Sequence, residues 1–459
     1  MKLLIFPILT FLLLGCVEEA MEGLESKNLG SGIKLFVFSQ PILPTTSYFL
    51  VVQAGSTRDP AGKEGLANLT IEMLLRGTVN RNREKILEDI DYLGASLSAI
   101  ATYDTVQLAG TTLSRTQDKF IELLSDLLLH PTFPAEEFEK LKSETIGQLQ
   151  LLSEDDRSLN KVRFTQFLFH GHPLGRLTSG TPESIKSITL DDVKEFYKKY
   201  FVDGNVILAA AGDIEKGDLV DYIEEYISEL PEGEIEPFSY PALTPIAKSK
   251  ILLVDKPERT QTQILLGYYG VAGDSPDYYP LYVANNAFGG TFTARLMQEV
   301  RVARGWSYGA YSKFARRKST GEFFTWTFPA VKDTIPTIEL TQKLLDDLSE
   351  KGLNKDEFNI SKNYSVRETA FDTETPTLAI SRFLEGYIMG WKGYPADHRK
   401  KLEGVTGKDV ENVIKKYFHS KPFVMTIVCT ASDIKKGLEE KYPDAQIVVV
   451  PYNKWDVPS

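Results

Sequence analysis

Cysteine is almost missing from this chain of 459 residues, with only Cys16 and Cys429 present. Two thiols in such different settings make no disulfide framework, so stability has to come from buried apolar area. Histidine is scarce as well: of His130, His170, His172, His398 and His419, only His170 and His172 lie close together. A two-histidine cluster with no third donor nearby is read as no metal site. Basic residues are outnumbered, Lys+Arg 52 against Asp+Glu 63, for a net charge of -11. With no long Lys/Arg cluster to offset it, that acidity repels phosphate backbones and excludes a dedicated nucleic-acid binder. No Walker A or Rossmann fingerprint occurs. What remains is an ordinary globular balance, 42% hydrophobic and 25% charged, at a length that supports two or three domains.

The one sustained apolar run stands at the start, from Leu3 to Leu14, broken only by Pro7 and Thr10. It is too short to span a bilayer comfortably and suits a signal-peptide core over residues 1–15. Leu13-Leu14-Gly15-Cys16 resembles the lipobox of bacterial lipoproteins. That resemblance implies a lipidated mature N-terminus at Cys16, a tether over 16–28, and a folded part held on the extracytoplasmic side of a membrane in a bacterial cell envelope. A plain secretory signal and a buried first helix are the competing readings.

The body is written twice. Ile188-Thr189-Leu190-Asp191-Asp192-Val193, leading to Lys198-Lys199-Tyr200-Phe201, recurs as Val405-Thr406-Gly407-Lys408-Asp409-Val410, leading to Lys415-Lys416-Tyr417-Phe418, at an offset of 415 − 198 = 217. Each copy precedes an apolar strand, Val206 to Ile214 and Val424 to Ile434, and Glu137-Phe138 and Glu357-Phe358 open helical stretches 220 apart. Pro231, Pro237, Pro241 and Pro245 mark a linker over 231–247 between domains at 29–230 and 248–459. Helical spacing over 64–76, 115–129, 135–152 and 190–200 alternates with β-rich runs at Tyr48 to Ala54 and Ile264 to Tyr269. The fold class is therefore α+β, two similar tandem domains, each a largely antiparallel sheet with helices on one face.

Gly65-Leu66-Ala67-Asn68-Leu69-Thr70-Ile71-Glu72-Met73-Leu74-Leu75-Arg76-Gly77-Thr78 resembles the active-site helix of the insulinase/pitrilysin peptidases, the family of the mitochondrial processing peptidase. Ala54-Gly55-Ser56 with Arg58 and Asp59, and Gly171-His172-Pro173-Leu174-Gly175-Arg176, extend the resemblance over nearly everything from about residue 30 onward. The family places an inverted zinc motif, H-x-x-E-H, within this helix, where two imidazoles one turn apart grip zinc and the carboxylate activates its water. Here Asn68 and Glu72 stand for the two histidines, Ile71 for the general base, and Leu149 for the distant third ligand. Isoleucine accepts no proton, leucine offers no lone pair, and asparagine is a poor ligand, which leaves one carboxylate. The resemblance thus implies no catalytic residue and no metal in this chain. Leu149 shares a helical stripe with Phe138, Leu141 and Leu152 and reads as core, while Asn68 and Glu72 are spaced to hydrogen-bond across a turn.

The segment from Ala287 to Tyr311 resembles the most recognisable part of the family's second half. Leu296, Met297 and Val300 give a helix a buried side, Gly305 ends it, and Tyr308 opens the next strand. In the family this segment carries an arginine and a tyrosine, seven residues apart, that bind the substrate backbone; Arg301 and Tyr308 match, with Arg295 and Arg304 as rivals. A guanidinium fork and a phenol can both donate to peptide carbonyls. The combination resembles the non-catalytic subunits of heteromeric members. It implies a pseudoenzyme that pairs with a zinc-bearing subunit of the same family, with zinc in the partner and unstructured peptides as ligands. A purely structural subunit and a hydrolase with an unrecognised site are the alternatives.

Overall fold

The computed structural model describes residues 21–29, 32–227 and 229–458. Cys16 and the apolar leader lie outside the described residues. Among those described, no helix is long and apolar enough to cross a membrane.

The two halves form two six-stranded sheets. The first has the order β1 (Leu24–Asn28), β2 (Lys34–Ser39), β6 (Val206–Gly212), β3 (Thr45–Val52), β5 (Val106–Leu113), β4 (Ser96–Ala101). The second has the order β12 (Gln446–Pro451), β7 (Lys250–Asp255), β11 (Val424–Cys429), β8 (Gln263–Ala272), β10 (Thr320–Thr327), β9 (Ala310–Phe314). Both sheets are mixed. The inner pairs β2–β6 and β7–β11 are parallel, while the runs from β6 to β4 and from β11 to β9 are antiparallel. The two differ at one edge: β1 precedes β2 and pairs antiparallel, whereas β12 comes from the chain's far end and pairs parallel to β7. Strand β1 falls on residues that the sequence assigns to the tether. Leu-Glu-Ser-Lys-Asn is a mostly exposed edge strand, and so carries no apolar alternation to announce it.

The repeated helices start alike because their N-caps are alike. Leu190–Tyr200 and Gly407–Tyr417 each start with a capping box, Thr189 with Asp192 and Thr406 with Asp409. The helices Ala135–Glu154 and Lys355–Glu368 stand at the expected offset of 220. Residues 231–248 carry no regular secondary structure, as their prolines require. Asp433-Ile434, by contrast, belongs to the helix Ala431–Lys441, since β11 stops at Cys429.

The second face of each sheet is covered as well, by a helix from the other half. All seven residues of β6 and all six of β11 are buried, the signature of a strand covered on both sides. Side chains alternate accordingly: Val206, Leu208 and Ala210 join the first core, while Ile207, Ala209 and Ala211 face Ala379, Ile380 and Leu384. Those three residues belong to the helix Pro376–Met389 of the second half. Reciprocally, Asp156–Leu168 of the first half lays Leu159, Phe164, Phe167 and Leu168 against Leu252, Val254, Leu265 and Val428 of the second sheet. Each half thus lends one helix to the other's outer face. Buried polar groups pin the exchange. Arg163 donates from Nη1 to the Trp455 carbonyl at 2.9 Å, and burial pulls its guanidinium down to about 10. Lys256, at the end of β7, pairs with Asp156 at 2.8 Å and donates to the Glu154 carbonyl at 2.9 Å.

Candidate functional site

In the first domain the helix that matches the zinc motif spans Leu66–Met73, tightening into a 3-10 turn at Leu74–Arg76. Its start is fixed by Asp59, whose carboxylate accepts from Gly65 N at 2.8 Å and Ala67 N at 2.9 Å. Gly65 itself takes φ 98°, a left-handed turn that favours glycine. The helix is apolar on most sides: Leu66, Ala67, Leu69, Ile71 and Met73 are all buried. Ile71, at the general-base position, is fully buried in the first core, and Leu149 is 2% exposed in the same core. Leu149 is therefore packing, with Phe138, Leu141 and Thr145 on its buried side.

Glu72 is the one carboxylate left at the motif positions. Burial raises its pKa, against the opposing charge of Arg76. The expected cross-turn hydrogen bond from Asn68 to Glu72 is not made; Glu72 lies within reach of the Arg76 and Arg83 charges instead. Arg76 in turn is taken by Glu144, Nη2 to Oε2 at 2.6 Å, and by Glu137 at 3.5 Å. An amide, two alkyl chains and one half-buried carboxylate do not fit zinc, which needs three nitrogen, sulfur or oxygen donors plus a base. Among the described residues no group of three His, Cys, Asp or Glu side chains is placed to hold a metal. His172 is used in a turn: its Nδ1 accepts from Leu174 N at 3.1 Å, and its Nε2 lies 3.1 Å from the Pro241 carbonyl. Cys429 is buried in the second core, where burial pushes its thiol up to about 12.

In the second domain the segment of interest leaves the helix Tyr278–Asn285 through a π turn, Asn286–Gly290, and then runs Arg295–Met297 into a second π turn, Gln298–Ala303. Leu296, Met297 and Val300 are buried as their spacing predicts, and Gly305 ends the turn at φ +65°. Strand β9 begins only at Ala310, so Tyr308 stands in the turn before it. Ser307 pins that turn from inside, donating to the Gly309 carbonyl at 2.8 Å, and Tyr308 projects outward, 76% exposed.

Arg301 and Tyr308 meet in space. The guanidinium carbon of Arg301 sits 4.2 Å from the centroid of the Tyr308 ring and 4.7 Å from that of Phe292. Phe292 is 56% exposed, an apolar ring kept in water to hold a cation. Among the described residues Arg301 has no ion pair, which leaves its donors uncommitted. Its rivals are both occupied. Arg295 makes a fork on Glu357, at 2.5 Å and 2.6 Å, and donates to the Gly352 carbonyl; Arg304 pairs with Glu299 at 2.5 Å. Phe292 is the residue that sequence reasoning missed. Its only signal is an aromatic in a polar turn nine residues before Arg301.

Comparison with known proteins places the chain in a family. The family model described as Insulinase (Peptidase family M16) matches residues 37–181, and that described as Peptidase M16 inactive domain matches residues 187–364. The chain belongs to peptidase family M16. Among curated M16 relatives, the Helicobacter pylori protein named non-peptidase homolog YmxG is 24% identical over 397 residues, 84% of this chain and 89% of the relative. The uncharacterized zinc protease YmxG of Bacillus subtilis is 21% identical over 352 residues, 77% of this chain and 85% of the relative. Among solved structures, the peptidase M16 inactive domain from Pseudomonas fluorescens aligns with a TM-score of 0.80 at 25% identity, covering 88% of this chain and 98% of that one. A chain of complex III from Candida albicans aligns at 0.76 with 18% identity, covering 92% and 100%. The M16 chain described here is an inactive homologue of that family, of the YmxG-like kind.

Proposed function

We propose that this chain is the non-catalytic half of a two-chain M16 endopeptidase, closing a chamber over a zinc-bearing subunit and holding an unstructured peptide for it. One observation carries the reading. An uncommitted guanidinium is held in place by two exposed rings, in a chain whose own motif helix keeps a single carboxylate, Glu72, and no metal-holding set among the described residues. The Arg301 fork and the Tyr308 hydroxyl donate to carbonyls of a peptide backbone. The Phe292 ring fixes the guanidinium so that little side-chain entropy is lost on binding. Backbone contacts of this kind tolerate many sequences, as a processing subunit needs. Hydrolysis itself is the partner's chemistry. A lipid on Cys16 tethers the assembly to a bacterial envelope membrane.

The test is to prepare the full chain alone and with a zinc-bearing M16 subunit from the same source, then measure metal content and cleavage of an unstructured peptide. The chain alone should hold no stoichiometric zinc and cut nothing. Mixing should stimulate cleavage, and Arg301→Ala or Tyr308→Phe should abolish or weaken that stimulation. Tight zinc and cleavage in the isolated chain would sink the proposal. A scaffold role is the alternative reading; it predicts an assembly whose activity both substitutions leave untouched. Release of the chain from membranes by Cys16→Ser tests the anchor.

A further inference from the structure

The second domain contains a cavity of about 660 Å³ that neither the metal motif nor the Arg301 clamp accounts for. Its floor is aromatic, with Tyr311 of β9 stacked on Trp326 of β10, ring planes 10° apart, and Phe324 beside them. One wall comes from the other half of the chain: Arg157 and Lys161 of the exchanged helix reach in, with the Arg157 guanidinium 3.9 Å from the Trp326 ring centroid. The opposite wall holds His398 and Asp372, joined Nδ1 to Oδ2 at 2.8 Å, and Arg382, paired with Glu385 at 3.0 Å.

We propose that this cavity binds an organic anion that joins a carboxylate to a flat ring, the chemistry of a C-terminal aromatic residue. Charge points that way. Arg157, Lys161, Lys313 and Arg316 line the cavity without an ion pair among the described residues, in a chain whose net charge is -11. The acids are mostly spent: Asp372 on His398 and Arg382, and Glu385 on Arg382. Glu368, the remaining one, is pushed up to about 7 by burial and by Asp372, so its negative charge is weakened near neutral pH. A buried polar atom also waits for a partner. His398 is 8% exposed and lines the cavity, and its Nε2 has no hydrogen bond. With both ring nitrogens protonated, His398 donates from Nδ1 to Asp372 and from Nε2 to an incoming carboxylate, while the ligand's ring lies on Tyr311, Trp326 and Phe324. This site is separate from the Arg301 clamp, so the failure of either reading leaves the other standing.

Tryptophan emission of the full chain reports occupancy, since Trp326 and Trp391 are in the wall. The probes are N-acetyl-phenylalanine, its amide, and a pentaglycyl-phenylalanine peptide with a free C-terminus. N-acetyl-phenylalanine should bind saturably, at least tenfold more tightly than its amide. Arg157→Gln with Lys161→Gln, both exposed and so compatible with folding, should weaken it at least tenfold, while Arg301→Ala should leave it unchanged. Tighter binding of the peptide names a chain end as the source, and tighter binding of the small acid names a free aromatic acid; either supports the site. No saturation by any probe, equal binding of acid and amide, or an unaffected double variant would overturn it.

Discussion

The motif helix of the first domain and the Arg301 segment of the second descend from the same family template, yet physical chemistry treats them oppositely. In the first, two of the four positions that match the family's chemistry are plain packing, Ile71 and Leu149 sealed in the core, and the neighbouring Arg76 is spent on Glu144. In the second, features persist that folding does not ask for, two large rings in water and a cation without a counter-charge. Residues that stability explains have been released from function. Residues that stability leaves unexplained are the ones on which the proposed peptide-holding role rests.

That contrast can be broken most forcefully by trying to reverse it. Ile71→Glu puts an unpaired carboxylate into a closed core and should cost roughly 3 kcal/mol or more in chemical denaturation, and Leu149→Ala about 2 to 4 kcal/mol from cavity formation. A mild effect at either site would mean that the motif helix is still an open site. Arg295→Ala, which removes a fork on Glu357, should cost about 1 to 3 kcal/mol by the same measurement and separates this structural arginine from Arg301. The two domains can be weighed directly through their capping boxes: Thr189→Ala and Thr406→Ala should each lose about 1 kcal/mol, with near-equal values if the halves share one cooperative transition.

Glu368 gives the comparison a pH axis. Its folded carboxyl titrates at about 7, above the ordinary unfolded value, so the folded state keeps a proton that the unfolded state has released. Stability should therefore fall as pH rises from the usual carboxylate range towards 7, and Glu368→Gln should flatten that decline in denaturation curves across the window. Smallest of all, Arg301→Ala should change stability by no more than about 0.5 kcal/mol, and a larger loss would make this arginine a structural residue after all.

The duplication was legible because its signals are local: a cap, an apolar face and a strand repeated at one offset. The loss of the metal set was equally plain, since it is written in side-chain type. The helix exchange was not, because the period of Asp156–Leu168 shows that one face is apolar without saying which sheet will cover it. Phe292 stacks on Arg301 only because two π turns fold the segment back, and no propensity marks that. The aromatic cavity draws on at least six separated stretches of chain, from Arg157 to His398, so no window of sequence contains it.

The mutual loan of helices has a mechanical corollary. A cut within 231–247 would leave each fragment with a bare, mostly aliphatic sheet face that only the missing fragment can cover, so the lobes stand or fall as one body. In the proposed two-chain assembly, a shell bound together in this way opens by one whole protomer tilting against another, which puts the hinge between the subunits.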